Sequence, residues 1–222
     1  GAVAAAATTM ATRTGRVTAE AREVVDRVAK AYQGLDGLEV GGTMRIKLNV
    51  GGEKNEREQA FTGRFQRPGL FRHEAKGDVV LGSTGEKAYV FSVGENAYLT
   101  AEAPKEVKGM EGYLPQVAAI LSQQNPSLVL ALSADPAKTL TDGVESVERA
   151  EDVTIGGTAH PALRVTPTGE RAPVTTMAFD PKTQLLRQVS YDMKRSLTER
   201  GVVDVREATL VVDYETVTPG AK

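Results

Sequence analysis

The imidazoles that could act as a general base or a metal ligand near neutral pH are His73 and His160. They stand far apart in the chain, His73 beside Glu74 and His160 ahead of Pro161. A metal site needs three or four converging ligands, and neither histidine has them at motif spacing. An ordinary surface or edge role is expected for both, and ligand binding is expected to survive alanine at both positions. The chain has no cysteine, which removes disulfides, thiolate metal sites and a thiol nucleophile. The acidic pairs Glu20/Glu23 and Glu56/Glu58 read as solvated faces. No nucleophile elbow, phosphate-binding glycine loop or metalloprotease helix motif is present. The expected role is therefore non-enzymatic, with no catalytic residue, no metal and no cofactor.

The elements around these residues come from periodicity. Ala21, Val24, Val25, Val28, Tyr32 and Leu35 recur at helical spacing over residues 18–33, with charged residues between them. Thr18 is placed to cap this helix, and Gly34 and Gly37 to end it. Beyond it the period drops to two. Met44, Ile46, Leu48 and Val50 alternate with polar residues up to the Gly51-Gly52 turn. Short strands follow over 61–66, 70–75, 79–81, 88–93 and 97–100, and connections this brief imply antiparallel neighbours.

Between residues 104 and 143 the texture changes. Pro115 opens a helix through Val117, Ile120 and Leu121, and Asn125-Pro126 and Asp135-Pro136 repeat the start signal. The run Leu128 to Leu132 is short enough to be helix or buried strand. Strands resume over 144–155, 159–167, 174–179, 185–193 and 202–217. The order is helix, six strands, short helices, five strands. It describes one α+β domain over residues 18–217, built on a curved antiparallel sheet with the helices as a lid. Residues 1–17 are expected to be a disordered leader, and 218–222 a tail or the start of a linker. The small residues Gly1 to Ala7 resemble either the surroundings of a signal-peptide cleavage site or a remnant ahead of a flexible leader.

Composition narrows the partners. Among the 222 residues, 41% are hydrophobic and 25% charged, and the net charge of −2 is spread without a basic stripe, which argues against nucleic acid. No apolar run reaches the roughly 18 residues of a membrane span. Aromatics are scarce, at 5% with no tryptophan, and concentrate in the early strands.

The run Arg67-Pro68-Gly69-Leu70-Phe71-Arg72-His73-Glu74 resembles the strand pair of the periplasmic lipoprotein-carrier superfamily, the LolA-like fold. Tyr89-Val90-Phe91, Asn96-Ala97-Tyr98 and Ala101-Glu102-Ala103-Pro104 are similar to a branch of predicted periplasmic proteins within it. Thr84-Gly85-Glu86-Lys87 stands where that branch has an Asp-Gly-Lys turn, keeping the glycine and losing the aspartate. The resemblance implies an open half-barrel around a hydrophobic cavity, export to the bacterial envelope, and carriage or sensing of acyl chains.

On that basis Met44, Ile46, Leu48, Phe61, Phe65, Phe71, Tyr89, Phe91 and Tyr98 are expected on one concave face, with Tyr113, Val117, Ile120 and Leu121 facing them from the lid. These side chains either line a cavity or pack against the helices. Arg67 and Arg72 either pair with acids across the sheet or meet an anionic head group at the rim. The expected partner is a lipid or an acylated protein, with peripheral membrane contact and no nucleic acid. The alternative function is an envelope sensor or protein-interaction domain, and a further alternative is that the chain is the N-terminal part of a longer protein.

Overall fold

A computed structural model describes residues 15–220 of the chain. The first described strand is β1 (Arg16–Val17), followed by helix α1 (Ala19–Gln33). Six strands come next: β2 (Gly37–Val50), β3 (Glu53–Gln66), β4 (Leu70–Ala75), β5 (Val79–Ser83), β6 (Lys87–Ser92) and β7 (Ala97–Glu102). Three short helices, α2 (Pro115–Gln124), α3 (Pro126–Leu132) and α4 (Pro136–Thr141), precede β8 (Val144–Ile155), β9 (Thr158–Pro167), β10 (Val174–Phe179) and β11 (Leu186–Asp192). Helix α5 (Lys194–Glu199) and strand β12 (Val205–Pro219) complete the described elements.

All twelve strands join one sheet in the order β1-β8-β9-β10-β11-β12-β2-β3-β4-β5-β6-β7. Neighbours are antiparallel except β1 against β8. The sheet is not closed, and the architecture is the open, curved α+β half-barrel expected from the alternation. The expected leader lies outside the described residues up to position 14. Its last part is not leader, because Arg16 and Val17 pair with Ser146 and Val147. Thr218 and Pro219, expected in the tail, instead pair with Glu39 and Leu38. The run Leu128 to Leu132 is helical, as part of α3.

Local chemistry accounts for the elements. The Thr18 hydroxyl accepts from the Ala21 amide at 3.3 Å, satisfying one of the free donors at the start of α1. Gly51 and Gly52 both carry positive φ, 62° and 86°, so the β2–β3 hairpin turns in two residues with the backbone twist that suits its strands. Pro115, Pro126 and Pro136 each sit in the first turn of a helix, where the missing N–H costs nothing.

Helices α1 to α4 lie over one face of the sheet, its inner face. Ala21, Val24, Val25, Val28 and Tyr32 of α1 are buried with Leu38, Val40, Phe61, Phe65, Phe71 and Leu81 of the strands in one continuous core. Each valine, leucine and phenylalanine among them contributes about 1.5–3 kcal/mol by leaving water. The helices pack this closely because Gly63 has no side chain. A Cβ there would come within 2.4 Å of the Asn125 amide nitrogen at the α2–α3 junction.

Candidate functional site

Strand register decides which side chains reach the inner face. In the β2–β3 ladder, Leu38, Val40, Gly42, Met44, Ile46 and Leu48 lie opposite Phe65, Gly63, Phe61, Gln59, Arg57 and Asn55. The same face continues through Phe71, His73 and Ala75 of β4 and Ser83, Leu81 and Val79 of β5. It reaches β6 at Ala88, Val90 and Ser92, and β12 at Ala208, Leu210 and Val212.

Helices cover only part of this face. Where α2 ends, a cavity of about 730 Å³ remains. Its apolar side is Met44 and Ile46 of β2 with Leu210 of β12. Arg57, Gln59 and Ala60 of β3 line it too, as do Lys76 and Asp78 of the β4–β5 turn and Gln123 and Gln124 of α2. Glu58 also borders it, although the register places its side chain on the other face, opposite Arg45.

A buried polar network holds the α2–α3 junction beside this cavity. The Tyr214 hydroxyl accepts from the Ser127 amide at 3.1 Å, so its proton goes to Asn125 Oδ1 at 2.9 Å. That orients the Asn125 amide, whose Nδ2 donates to His73 Nδ1 at 3.2 Å. His73 therefore carries its proton on Nε2 and donates it to Gln124 Oε1 at 2.9 Å. The Tyr32 hydroxyl extends the network to Ser127 at 2.7 Å and to the Leu186 amide at 3.0 Å. Burial lowers the His73 pKa and pushes Tyr32 up to about 12, so both remain neutral at pH 7. Neither histidine has the surface or edge role expected of it. His73 is fully buried, and His160 is buried with its Nδ1 donating to the Thr158 carbonyl at 2.8 Å.

The candidate apolar residues separate into three groups. Met44 and Ile46 line the cavity, and Leu48 lies two positions further along the same strip, half-buried. Phe61, Phe65, Phe71, Tyr113, Val117 and Leu121 are buried in the core, with half-buried Ile120 packed against it, and none of these seven is among the cavity's lining residues. Tyr89, Phe91 and Tyr98 do not lie on the concave face as expected. Tyr89 pairs with Gly82 and Thr100, and Phe91 with Val80 and Tyr98, which puts all three on the outer face. There the Phe91 and Tyr98 rings stack at 4.4 Å, with Tyr98 71% exposed.

The arginines separate as well. Arg67 is neither a cross-strand partner nor a rim cation. Its guanidinium donates to the carbonyls of Leu35, Tyr32 and Gln33 at 2.8, 3.4 and 3.2 Å, neutralising the carbonyl end of α1. Arg72 lies on the outer face and pairs with Glu74 at 2.8 Å. Among the described residues, no group of three or more histidines or carboxylates could hold a metal.

Sequence reasoning missed Leu210, Arg57, Gln59, Lys76, Asp78, Gln123 and Gln124. Leu210 meets Ile46 only through the β12–β2 ladder, whose partners Thr216 and Gly41 are 175 residues apart, and no local pattern signals such a pairing. The polar members stand in a strand half and a helix end that read as solvent-facing.

No family model and no curated protein matches the sequence. Among solved structures, the chain is similar to an uncharacterized conserved protein from Thermus thermophilus, at a TM-score of 0.50 and 9% identity over 91% of this chain and 89% of that one. It is also similar to LprF from Mycobacterium bovis (TM-score 0.45, 12% identity, 94% and 96% covered) and to MucB (TM-score 0.44, 15% identity). The MucB alignment covers 92% of this chain, which spans 60% of the MucB chain. At these identities the likeness is one of fold alone.

Proposed function

We propose that this chain binds a hydrophobic ligand in the bacterial envelope without transforming it, as a carrier of an acyl chain, a lipid or a lipoprotein tail. The observation behind it is a cavity of about 730 Å³ whose apolar side is half-buried Ile46 between Met44 and Leu210, two members of the core that reach its wall. That volume is in the range of small-molecule sites, roughly 300–1,000 Å³. A sixteen-carbon chain gains roughly 12 kcal/mol by leaving water, at about 0.8 kcal/mol per methylene. Association removes several of these, and the remainder supports micromolar or tighter binding. The lining holds carboxylates and a lysine but no imidazole, thiol or hydroxyl, and a binding role makes no chemical demand on it. No helix of the described residues is long and apolar enough to cross a membrane. Envelope location and an acylated partner rest on the resemblance carried by Arg67 to Glu74.

Native mass spectrometry of protein purified from a bacterial host tests this reading. The expected result is a co-purified lipid that Ile46→Glu removes while the thermal unfolding midpoint holds. A lipid-free wild-type protein that binds no fluorescent fatty acid saturably overturns it. A second reading, a protein-interaction or sensor domain, is favoured by one separate observation: the stacked Phe91–Tyr98 pair on the outer face of the free edge strand β7.

A further inference from the structure

The cavity is divided lengthwise by chemistry. Its β2 and β12 side is apolar, and its β3 and α2 side is polar, with Arg57 as its cation and the Gln59 amide already donating to the Lys76 carbonyl at 3.3 Å. Arg57 lies directly opposite Ile46 in the ladder, where facing Cβ atoms are about 5 Å apart. A cation therefore stands one strand away from the apolar strip. Other arginines of the central strands are neutralised: Arg45 by Asp213, Arg64 by Glu39 and Arg72 by Glu74. Arg57 has no ion-pair partner among the described residues. Lys76 and Asp78 of the β4–β5 turn add one charge of each sign to the lining, and Glu58 borders it from the other face of β3.

Gln124 adds to this polarity. Its Oε1 already accepts the His73 Nε2 proton, so the group it has left to offer is its NH₂. The buried network thus turns an ambivalent amide into a donor. An arginine fork and an amide N–H beside an apolar strip suit an acceptor-only, charged head group attached to an alkyl chain. We propose that the ligand is an anionic amphiphile, a carboxylate or phosphate on an acyl or alkyl chain, with Arg57 and Gln124 selecting it over neutral and cationic analogues. This rests on the binding reading above and narrows its ligand class.

The test displaces the neutral dye Nile red from the full chain with four sixteen-carbon amphiphiles, each below its critical micelle concentration. They are palmitate, hexadecyl phosphate, hexadecanol and hexadecyltrimethylammonium. The two anions are expected to displace the dye at concentrations about 10-fold to 100-fold lower than the alcohol, as suits hydrogen bonds to a charged group. Which anion is stronger separates a carboxylate ligand from a phosphate one. Arg57→Gln, at an exposed position, should bring the anion-to-alcohol ratio close to one without moving the unfolding midpoint. Gln124→Glu keeps an acceptor for His73 but loses the donor, and should lower the ratio too. Hexadecanol matching palmitate in the wild type, or a ratio unchanged in Arg57→Gln, overturns the head-group inference and leaves the binding reading standing. Failure of all four to displace the dye, or of the dye to bind, overturns the binding reading along with it.

Discussion

The two ends of the β2–β3 ladder have the same backbone geometry and opposite fates. At one end Leu38, Val40, Phe61 and Phe65 are buried beneath α1 and α3. At the other, Ile46 and Leu48 are only half-buried, and every residue from Glu53 to Glu58 is exposed. Both stretches pair in unbroken register. What separates them is where the helices stop, so the cavity is made by missing cover rather than by any special strand. Side chains at the covered end should therefore govern stability, and those at the bare end should govern binding.

The largest expected effect comes from Phe61→Ala, which empties a site packed edge-on against the Tyr214 ring at 5.5 Å. It should cost about 3–5 kcal/mol in urea unfolding, with ligand affinity of the folded fraction unchanged. Ile46→Ala should show the reverse, a loss near 1 kcal/mol or below and weaker dye binding. Equal stability losses at the two positions would erase the distinction between the ends.

Tyr214→Phe removes the donor to Asn125 and the acceptor for the Ser127 amide. A loss of about 1–3 kcal/mol is expected, because both partners remain buried. A neutral result would mean that the junction is held by apolar packing alone.

The pH dependence sharpens the comparison at the same junction. Burial depresses the His73 pKa in the folded state, while the unfolded chain titrates near the ordinary value of about 6.5. Above that pH both states are neutral at this site and its contribution is fully present. As pH falls below it, the unfolded state takes up a proton that the folded state refuses, so stability declines until the lowered folded value is reached. Urea midpoints between pH 7.5 and 5 should follow this course, and His73→Gln should flatten it. An equally steep decline in the variant would place the sensitivity elsewhere.

The smallest effect is expected at the outer face. Tyr98→Ser should change stability by about 0.5 kcal/mol or less and leave dye displacement alone. Loss of displacement would bring the outer aromatics back into the site.

Alternation exposed the strands, and the Asn-Pro and Asp-Pro pairs exposed α3 and α4, because both are local signals. The phase of alternation was not legible in β6. The aromatic residues Tyr89 and Phe91 suggested the inner face, yet Ala88 and Val90 hold it. Ala88 is fully buried, and a small residue there leaves an aromatic free to lie on the outside near the sheet's edge. The burial of His73 was equally hidden, since it depends on an asparagine and a tyrosine brought from distant parts of the chain. The cavity's polar wall was illegible for a similar reason. Nothing local in Arg57 tells an unpaired cation from one matched across a strand, and that difference is set by register.

The placement of β12 has a kinetic consequence. The sheet is two groups of strands, β8 to β11 with β1 on one side and β2 to β7 on the other, joined through β12 alone. Apart from β1, which pairs with the distant β8, each group is built from close neighbours in the chain and can assemble as hairpins while the chain is still growing. The seam between them, where Thr216 meets Gly41 from 175 positions away, must wait until β12 exists. Until then neither group has its full partner ladder, and the strip that becomes the cavity floor has only its β2 half.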